Sequence, residues 1–134
     1  MASQKMALLA VAAGLLCMSA LLNGAEASCG GFTASCQGPF SVTGSILSAD
    51  CANDAGNFAF SSLDLNSFLS NDNGNLVEGN DYIATCTPEG FALLGSPFYI
   101  YANCAQDNGN VVSTSYDIDN NVVNNNGVLA WNSC

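Results

Sequence analysis

Apolar and polar positions follow one frame that occurs twice along the chain. In residues 63–76 two apolar residues flank an aspartate, an apolar pair follows, and a polar run ends in Asn-Gly before a leucine. The same frame returns in residues 116–129. A frame kept over this length predicts a tandem duplication of one structural unit, with repeats at about residues 32–81 and 82–134.

Short runs of alternating or β-prone residues, separated by clusters of Gly, Asn, Asp and Ser, predict strands rather than long helices. The strands predicted most clearly cover residues 45–49, 58–60, 63–65 and 116–118. The adjacent pairs Phe68-Leu69 and Val122-Val123 predict a single helical turn between strands. Each Asn-Gly pair predicts a hairpin turn, because both residues tolerate positive φ. The fold class predicted is all-β, built from two similar halves that are each too small to fold alone.

The first 27 residues have the pattern of a secretory signal peptide. Lys5 supplies a basic start, residues 6–22 are apolar, and Ala25-Glu26-Ala27 is a small-x-small cleavage site. We therefore expect a secreted, extracellular chain that begins at Ser28. The alternative is a membrane anchor, because the uncharged run is nearly long enough to span a bilayer.

The charge of the chain excludes several classes of function. The formal net charge is −10 at pH 7, there is no histidine, and Lys+Arg number 1. That single cation is Lys5, inside the predicted signal peptide. A surface without cations disfavours nucleic acid and anionic membranes, which need positive charge for binding. The lack of histidine excludes His-dependent triads and the common zinc sites.

The chain has 7 cysteines, of which Cys17 would leave with the signal peptide. The six others form an even set in a short secreted chain, which predicts disulfides. Two pairs occupy equivalent places in the two repeats, so each pair is predicted to form a bridge within its own repeat. The remaining two cysteines are then expected to join the ends of the domain. The predicted bridges are Cys36–Cys51, Cys86–Cys104 and Cys29–Cys134.

Further motifs lie at matching places around these cysteines. The first repeat contains Gly44-Ser45-Ile46-Leu47, then Ser61-Ser62-Leu63-Asp64-Leu65-Asn66-Ser67, then Asn73-Gly74-Asn75-Leu76. The second contains Val112-Ser113-Thr114 and Asn126-Gly127-Val128-Leu129. With the cysteine spacing and the duplication, these motifs resemble the cyanovirin-N family of sugar-binding proteins. The resemblance covers residues 32–131.

The resemblance implies one domain in which the two halves exchange strands. It also implies a carbohydrate site at each end, selective for α-linked mannose on high-mannose glycans, with no catalytic activity, metal or other cofactor. The partners implied are mannose-bearing oligosaccharides or glycoproteins, with no nucleic acid and no membrane insertion. Strands that exchange within one chain can also exchange between chains, so the chain is expected as a monomer or a strand-exchanged dimer.

The resemblance also assigns residues by position, and amides, hydroxyls and carboxylates are suitable partners for sugar hydroxyls. We name the two groups the first end and the second end. The first end comprises Ser35, Asn53, Asp54, Asn124, Asn125 and Asn126. The second end comprises Asn71, Asp72, Asn73, Asn80, Asp81, Thr85, Gln106 and Asp107. Four positions that are polar or charged in the best-known family member are alanine here, at Ala34, Ala52, Ala84 and Ala105.

Structural alternatives exist for each of these features. Residues 53–57 also have the composition of a simple turn, and Asp64 and Asp117 suit a capping role within their strands. The larger aromatic residues at repeat positions are expected in the core; these are Phe32, Tyr82, Tyr116 and Trp131. A calcium loop of the EF-hand type does not fit either Asn-Gly segment, because the first ligand position would fall on an apolar residue.

Two other classes of function remain open from the sequence. A small glycoside hydrolase would need a pair of carboxylates that serve as acid and base, and Glu78 and Glu89 are among the candidates. The other class is a disulfide-stabilised secreted protein with a structural or interaction role and no sugar binding. Product release from mannan distinguishes the first class, and failure to bind glycans distinguishes the second.

Overall fold

The computed structural model describes residues 29–93 and 97–133. That part of the chain contains ten β-strands and four short 3-10 turns. The strands are β1 Cys36–Thr43, β2 Ile46–Ala52, β3 Phe58–Asp64, β4 Leu69–Asp72, β5 Asn75–Glu78, β6 Cys86–Leu93, β7 Phe98–Ala105, β8 Val111–Asp117, β9 Val122–Asn125 and β10 Val128–Trp131. The 3-10 turns are Phe32–Ala34, Leu65–Ser67, Tyr82–Ala84 and Ile118–Asn120.

Each repeat forms the same pair of units, a three-stranded antiparallel sheet followed by a two-stranded hairpin. In the first repeat these are the sheet β1-β2-β3 and the hairpin β4-β5. In the second they are the sheet β6-β7-β8 and the hairpin β9-β10. The predicted all-β class and the internal duplication are therefore confirmed.

Both hairpins turn at the predicted Asn-Gly pairs. Asn73 and Gly74 have φ of 50° and 95°, and Asn126 and Gly127 have φ of 53° and 91°. Two successive residues with positive φ make the turn whose twist matches that of the flanking strands. The turn residues thus fix the register of each hairpin.

The hairpins are exchanged between the repeats. Hairpin β4-β5 lies against β8 of the second repeat, and hairpin β9-β10 lies against β3 of the first. At the first contact the Leu76 N–H donates to Thr114 Oγ1 at 3.3 Å. At the second the Leu129 N–H donates to Ser61 Oγ at 2.9 Å. Each repeat therefore completes the other, which is the strand exchange that the resemblance implied.

The predicted position of the helical turns is wrong by about one turn. Leu65 and Ile118, predicted to end strands, instead begin 3-10 turns and are fully buried. Leu69, Val122 and Val123, predicted as helical, lie in strands. The shift arises because each preceding aspartate caps a turn. Asp64 Oδ1 accepts from the Asn66 N–H at 3.0 Å, and Asp117 Oδ1 accepts from the Asp119 N–H at 3.1 Å.

Strands β1 and β6 were not predicted individually, because proline and glycine interrupt both of their patterns. The register of β1 against β2 shifts between Gln37 and Ser41, and that of β6 against β7 shifts between Pro88 and Gly90. Proline is tolerated in sheets at edge strands and bulges. Both strands lie at a sheet edge, so these breakers mark bulges rather than the end of a strand.

Two of the three predicted disulfides are confirmed. Cys36–Cys51 and Cys86–Cys104 each join residues that face one another across the first two strands of a sheet. Cys29 is also disulfide-bonded. Its predicted partner, Cys134, lies outside the described residues, as does the predicted signal peptide.

The 3-10 turn at the end of each sheet holds the start of the other repeat. Asn66 Oδ1 accepts from the Ile83 N–H at 3.0 Å, and the Asn66 carbonyl accepts from the Asp81 N–H at 2.7 Å. Asp119 does the same for the first repeat, since its Oδ1 accepts from the Thr33 N–H at 3.1 Å. These contacts fix where each repeat begins relative to the other.

The core contains aromatic residues at the repeat positions predicted for it. Phe32 and Tyr82 are equivalent in the two repeats and are 0% and 1% exposed. The Phe32 ring lies 5.4 Å from that of Phe98. Trp131 is only partly buried, and it stacks on Phe68 with ring centroids 5.4 Å apart. The two repeats therefore share one apolar interior rather than two separate ones.

Glu78, at the end of hairpin β4-β5, accepts hydrogen bonds from the C-terminal part of the second repeat. Trp131 Nε1 and Ser133 Oγ each donate to Glu78 Oε2 at 2.8 Å. These two bonds lower the pKa of the Glu78 carboxyl below its ordinary value. The contact ties the two hairpins together beside the linker between the repeats.

No helix among the described residues has the length and apolarity to cross a membrane.

The buried phenol of Tyr82 generates a prediction about alkaline stability. Burial raises its pKa from 10.0 to about 12, and its hydroxyl makes no hydrogen bond with another described residue. Above pH 10 the unfolded chain loses this proton and the folded chain keeps it, so the free energy of unfolding falls as pH rises towards 12. Tyr82→Phe should remove this part of the decline.

The equivalent Phe32 shows that a phenyl ring fits the position, so Tyr82→Phe should be as stable as the wild type at neutral pH. Urea denaturation at about pH 7 and about pH 11 measures both effects, because the loss of stability accumulates as pH rises between the two pKa values. An identical pH dependence in the wild type and the variant would show that Tyr82 is not the group responsible.

Candidate functional site

The first end forms where the tip of hairpin β9-β10 meets the loop after β2. Asn124 Nδ2 donates to Ser35 Oγ at 2.9 Å and to the Ala52 carbonyl at 2.8 Å. Its Oδ1 accepts from the Gly127 N–H at 2.7 Å. One amide thus joins the hairpin turn, the entry to β1 and the end of β2. We call this arrangement the amide brace.

The second end repeats the amide brace with other residues. Asn71 Nδ2 donates to Thr85 Oγ1 at 2.9 Å and to the Ala105 carbonyl at 2.8 Å. Its Oδ1 accepts from the Gly74 N–H at 2.7 Å. The distances match those of the first end almost atom for atom. The two ends are therefore the same structure built twice, each from residues of both repeats.

A second amide at each end joins the hairpin tip to the facing loop. Asn126 Oδ1 accepts from the Asp54 N–H at 2.7 Å, and Asn73 Oδ1 accepts from the Asp107 N–H at 2.9 Å. These bonds hold the aspartate-bearing loops against the hairpins. Most of the asparagines predicted to bind a ligand are thus already engaged in shaping the site.

The polar groups that remain available for a ligand lie on the outer edge of each end, around the amide brace. We call this edge the rim. Within residues 29–93 and 97–133, six of the predicted side chains make no hydrogen bond. One is Asn80, in the linker between the repeats, and the five at the two ends are Asp54, Asp72, Gln106, Asp107 and Asn125. All but Gln106 are exposed. The hydroxyls of Ser35 and Thr85 accept from the amide braces and keep a proton to donate. Each end therefore offers a carboxylate, an amide and a hydroxyl to a ligand.

The loops of the two ends differ at two positions, Asn53/Gln106 and Ala55/Asn108, and the first difference changes the polar groups offered to a ligand. Asn53 Oδ1 accepts from the N–H groups of Ala55 and Asn57, both at 3.0 Å, so its oxygen shapes its own loop. Residues 53–57 thus form a turn, as the structural alternative held, and also carry the rim carboxylate. The equivalent Gln106 is one methylene longer and makes no such bond. Its amide is free for a ligand.

Asn80 and Asp81 are the predicted residues that lie apart from the amide brace. Asp81 has φ of 65° and its Oδ1 is 3.5 Å from Asn66 Nδ2, so it belongs to the linker between the repeats. Asn80 is exposed and lies in the same linker. No hydrogen bond among the described residues connects either side chain to the rim of the second end.

A metal ion has no evident cluster of ligands in this structure. Within the described ranges, His, Cys, Asp and Glu form no group of three or more that converges on one point. The rim carboxylates of the two ends are each accompanied by amides and hydroxyls instead, which is the chemistry of a site for a neutral polar ligand.

A family model described as the CVNH domain matches residues 32–129. The match spans both repeats and both ends. The chain belongs to the CVNH family. This confirms the predicted family and fold.

Solved CVNH structures agree with this fold. The T. borchii CVNH is 26% identical with a TM-score of 0.62, and the match covers 75% of this chain and 97% of that one. Microvirin, in a complex with mannobiose, is 24% identical with a TM-score of 0.61, covering 76% and 98%. A MoCVNH3 variant in complex with (N-GlcNAc)4 is 18% identical with a TM-score of 0.68, covering 79% and 99%.

The resemblance assigned Asn80 and Asp81 to an end of this CVNH domain although they lie in the linker, and it did not indicate what each of the other residues does. Asn71 and Asn124 lie in the same polar runs as Asp72 and Asn125, directly before the Asn-Gly turns. The first two form the amide braces, whereas the second two lie on the rim. Only the alternation of a strand separates them, because neighbouring residues point to opposite faces. That signal was present in the hairpin pattern.

The amide brace generates a prediction with a neighbouring control. Asn124→Ala leaves the Gly127 N–H and the Ala52 carbonyl without their partner, so it should lower the free energy of unfolding by about 1–3 kcal/mol. Asn125→Ala removes an exposed side chain of the same type and should change it by less than about 0.5 kcal/mol. Urea denaturation measures both. Equal effects of the two substitutions would show that the brace does not stabilise the hairpin.

Proposed function

We propose that this CVNH domain is a secreted, non-catalytic lectin that binds α-linked mannose oligosaccharides at both ends. The observation that carries the proposal is the repeated constellation of an amide brace with a free carboxylate, amide and hydroxyl on its rim. A sugar presents several hydroxyls that each donate and accept, and such a mixed rim matches them. The braces hold the rim groups in place before a ligand arrives, which lowers the ordering cost of binding.

Mannose is proposed as the ligand on two grounds. The sequence resemblance implies α-linked mannose, and microvirin, a solved relative, is in complex with mannobiose. The MoCVNH3 variant is in complex with (N-GlcNAc)4, so chitin oligomers are the second candidate ligand. The net charge of −10 favours a neutral glycan over a sulfated or uronic acid polymer, which the chain would repel.

Secretion is proposed on the pattern of the first 27 residues and on the disulfides of the domain. Cys36–Cys51 and Cys86–Cys104 are bonded, and disulfides persist in oxidising compartments outside the cytosol. N-terminal sequencing of the protein recovered from culture medium tests the proposal, and a mature chain beginning at Ser28 is the expected result.

A monomer or a strand-exchanged dimer is proposed for the oligomeric state. The linker of residues 79–81 decides between them, because the same hairpin contacts form whether it turns back or extends. Gly79 is unsuited to substitution as a test, since its N–H donates to the Phe68 carbonyl and an added Cβ would lie 2.4 Å from Ser70 Cβ. Size exclusion across a range of concentrations distinguishes the two species.

A glycan array on the refolded mature chain tests the lectin proposal directly. Binding is expected to oligosaccharides that end in α-linked mannose, with no release of product from mannan. Binding to chitin oligomers alone would retain the lectin and change its ligand. Absence of binding to every glycan would favour the structural or interaction protein, and product release would favour the hydrolase.

The two ends should depend on separate polar sets. Gln106→Ala with Asp107→Ala removes an amide and a carboxylate from the second end, and Asp54→Ala with Asn125→Ala removes the same groups from the first. Each double substitution should weaken its own end about tenfold or more, because a hydrogen bond to a charged group is worth about 1.5–3 kcal/mol. The other end should be unchanged, since distant sites are usually independent.

We expect the second end to bind more tightly, because Gln106 is free where Asn53 is engaged in its own loop. Calorimetric titration with α-linked mannobiose measures both affinities. If neither double variant alters binding while both remain folded, the residue assignment is wrong even if the protein is a lectin.

A further inference from the structure

Two exposed phenylalanines on β3 have no role in the core. Phe58 is 50% exposed and Phe60 is 72% exposed. They are two residues apart on one strand, so they project from the same face of the sheet. Isolated exposed apolar residues are ordinary on protein surfaces. Two neighbouring phenyl rings on one face form a patch that calls for a specific explanation.

The second repeat shows that the fold does not require these rings. The positions equivalent to Phe58 and Phe60 are Val111 and Ser113, in a sheet with the same strand order and pairing. A sheet of this design therefore forms with a small apolar residue and a hydroxyl there. At these two positions an aromatic pair is found in the first repeat alone.

Polar groups accompany the rings across the sheet. Phe60 lies directly opposite Asp50, which in turn lies opposite Gln37, so the three form one row across β3, β2 and β1. Within the described part of the chain, the Asp50 and Gln37 side chains make no hydrogen bond. The corresponding row of the second repeat is Ser113, Asn103 and Thr87, without ring or carboxylate.

The patch is continuous with the first end. Phe58 lies opposite Ala52, and the Ala52 carbonyl accepts from Asn124 in the amide brace. The loop of residues 53–57, which carries Asp54, joins the strand of Ala52 to that of Phe58. The row that contains Phe60 lies two residues along the strand from the pair of Phe58 and Ala52, a distance of about 6.5 Å. This distance is comparable to the length of one sugar residue.

We infer that Phe58 and Phe60, with Asp50 and Gln37, form an extended subsite for further sugar residues of a neutral oligosaccharide bound at the first end. The inference rests on the proposed function, since it extends that site. A pyranose ring presents apolar C–H groups on its face and hydroxyls at its edge. The phenyl rings can cover the C–H groups, and a carboxylate and an amide can form hydrogen bonds with the hydroxyls. The negative charge of Asp50 and of the whole chain excludes anionic chains as the ligand.

The test isolates the first end and varies the length of the ligand. A background variant, Gln106→Ala with Asp107→Ala, is expected to weaken the second end about tenfold or more, so that the first end dominates binding. In that background, Phe58→Val with Phe60→Ser copies the residues of the second repeat, so the sheet should tolerate them. Calorimetric titrations with α-linked mannobiose and α-linked mannotetraose give the preference for the longer chain.

The background protein should prefer mannotetraose, and the Phe58→Val/Phe60→Ser variant should lose about fivefold or more of that preference while its mannobiose affinity stays the same. Asp50→Asn should reduce the preference with both rings present. The reverse exchange, Val111→Phe with Ser113→Phe in the wild type, should raise the affinity of the second end for mannotetraose. An equal length preference in the background protein and the phenylalanine variant overturns the inference.

Two other outcomes separate this inference from the proposed function. If the wild type binds both sugars and the background variant binds neither, the first end is not a site, and the extended subsite fails while the lectin stands. If the wild type binds no glycan, the proposed function fails and the inference fails with it. A wild-type dimer in sedimentation velocity that Phe58→Val/Phe60→Ser converts to monomer would identify the patch as a self-association surface and overturn the subsite.

Discussion

The structure depends on one side-chain amide at the base of each hairpin turn. Asn71 and Asn124 each accept from the N–H of the turn glycine and donate to a strand-end carbonyl of the other repeat. A backbone group left unpaired there would cost as much as a lost hydrogen bond. The braces therefore fix the hairpins, join the repeats and form the floor of each end with the same three bonds.

The duplication lets the two ends diverge without loss of the fold, because the residues that hold the fold and the residues on the rim are different. Asn53 and Gln106 occupy equivalent loops, yet one stabilises its own turn and the other leaves its amide free. Phe60 and Ser113 occupy equivalent strands with very different surfaces. The two ends thus share one framework but differ in their surfaces. The first end extends along the sheet through Phe58 and Phe60, and the second has one more free amide on its rim, that of Gln106.

The sequence predicted the framework well because the framework has a strong local signal. Asn-Gly turns, a repeated frame and cysteine pairs at matching places in the two repeats each have one physical meaning; the turns, the duplication and the two bridges within the repeats were confirmed. The 3-10 turns were misplaced because the aspartates Asp64 and Asp117 cap them by side-chain bonds that hydrophobic periodicity does not record. Strands β1 and β6 were missed because proline and glycine at a bulge resemble the end of a strand.

The roles of the site residues were harder to predict, because an asparagine of the amide brace and an asparagine on the rim look alike in a sequence. The hydrogen-bond partner of an amide can lie in a segment that is distant in sequence, as Ser35 is from Asn124. The resemblance to the family assigned the two braces and their partners Ser35 and Thr85, but it also assigned Asn80 and Asp81, which lie in the linker. It gave no sign of the exposed Phe58 and Phe60, because they lie outside the positions it assigned.

The central claim is that the two braced ends, and not the rest of the surface, are the primary sites for a sugar. Titration of the ¹⁵N-labelled mature chain with α-linked mannobiose tests it most directly, because every backbone N–H reports its own surroundings. The account predicts shifts in two separate groups, one around the Asp54 N–H and one around the Asp107 N–H, with the second group saturating first. Shifts that avoid both ends, or that fall on the sheet faces alone, would contradict it.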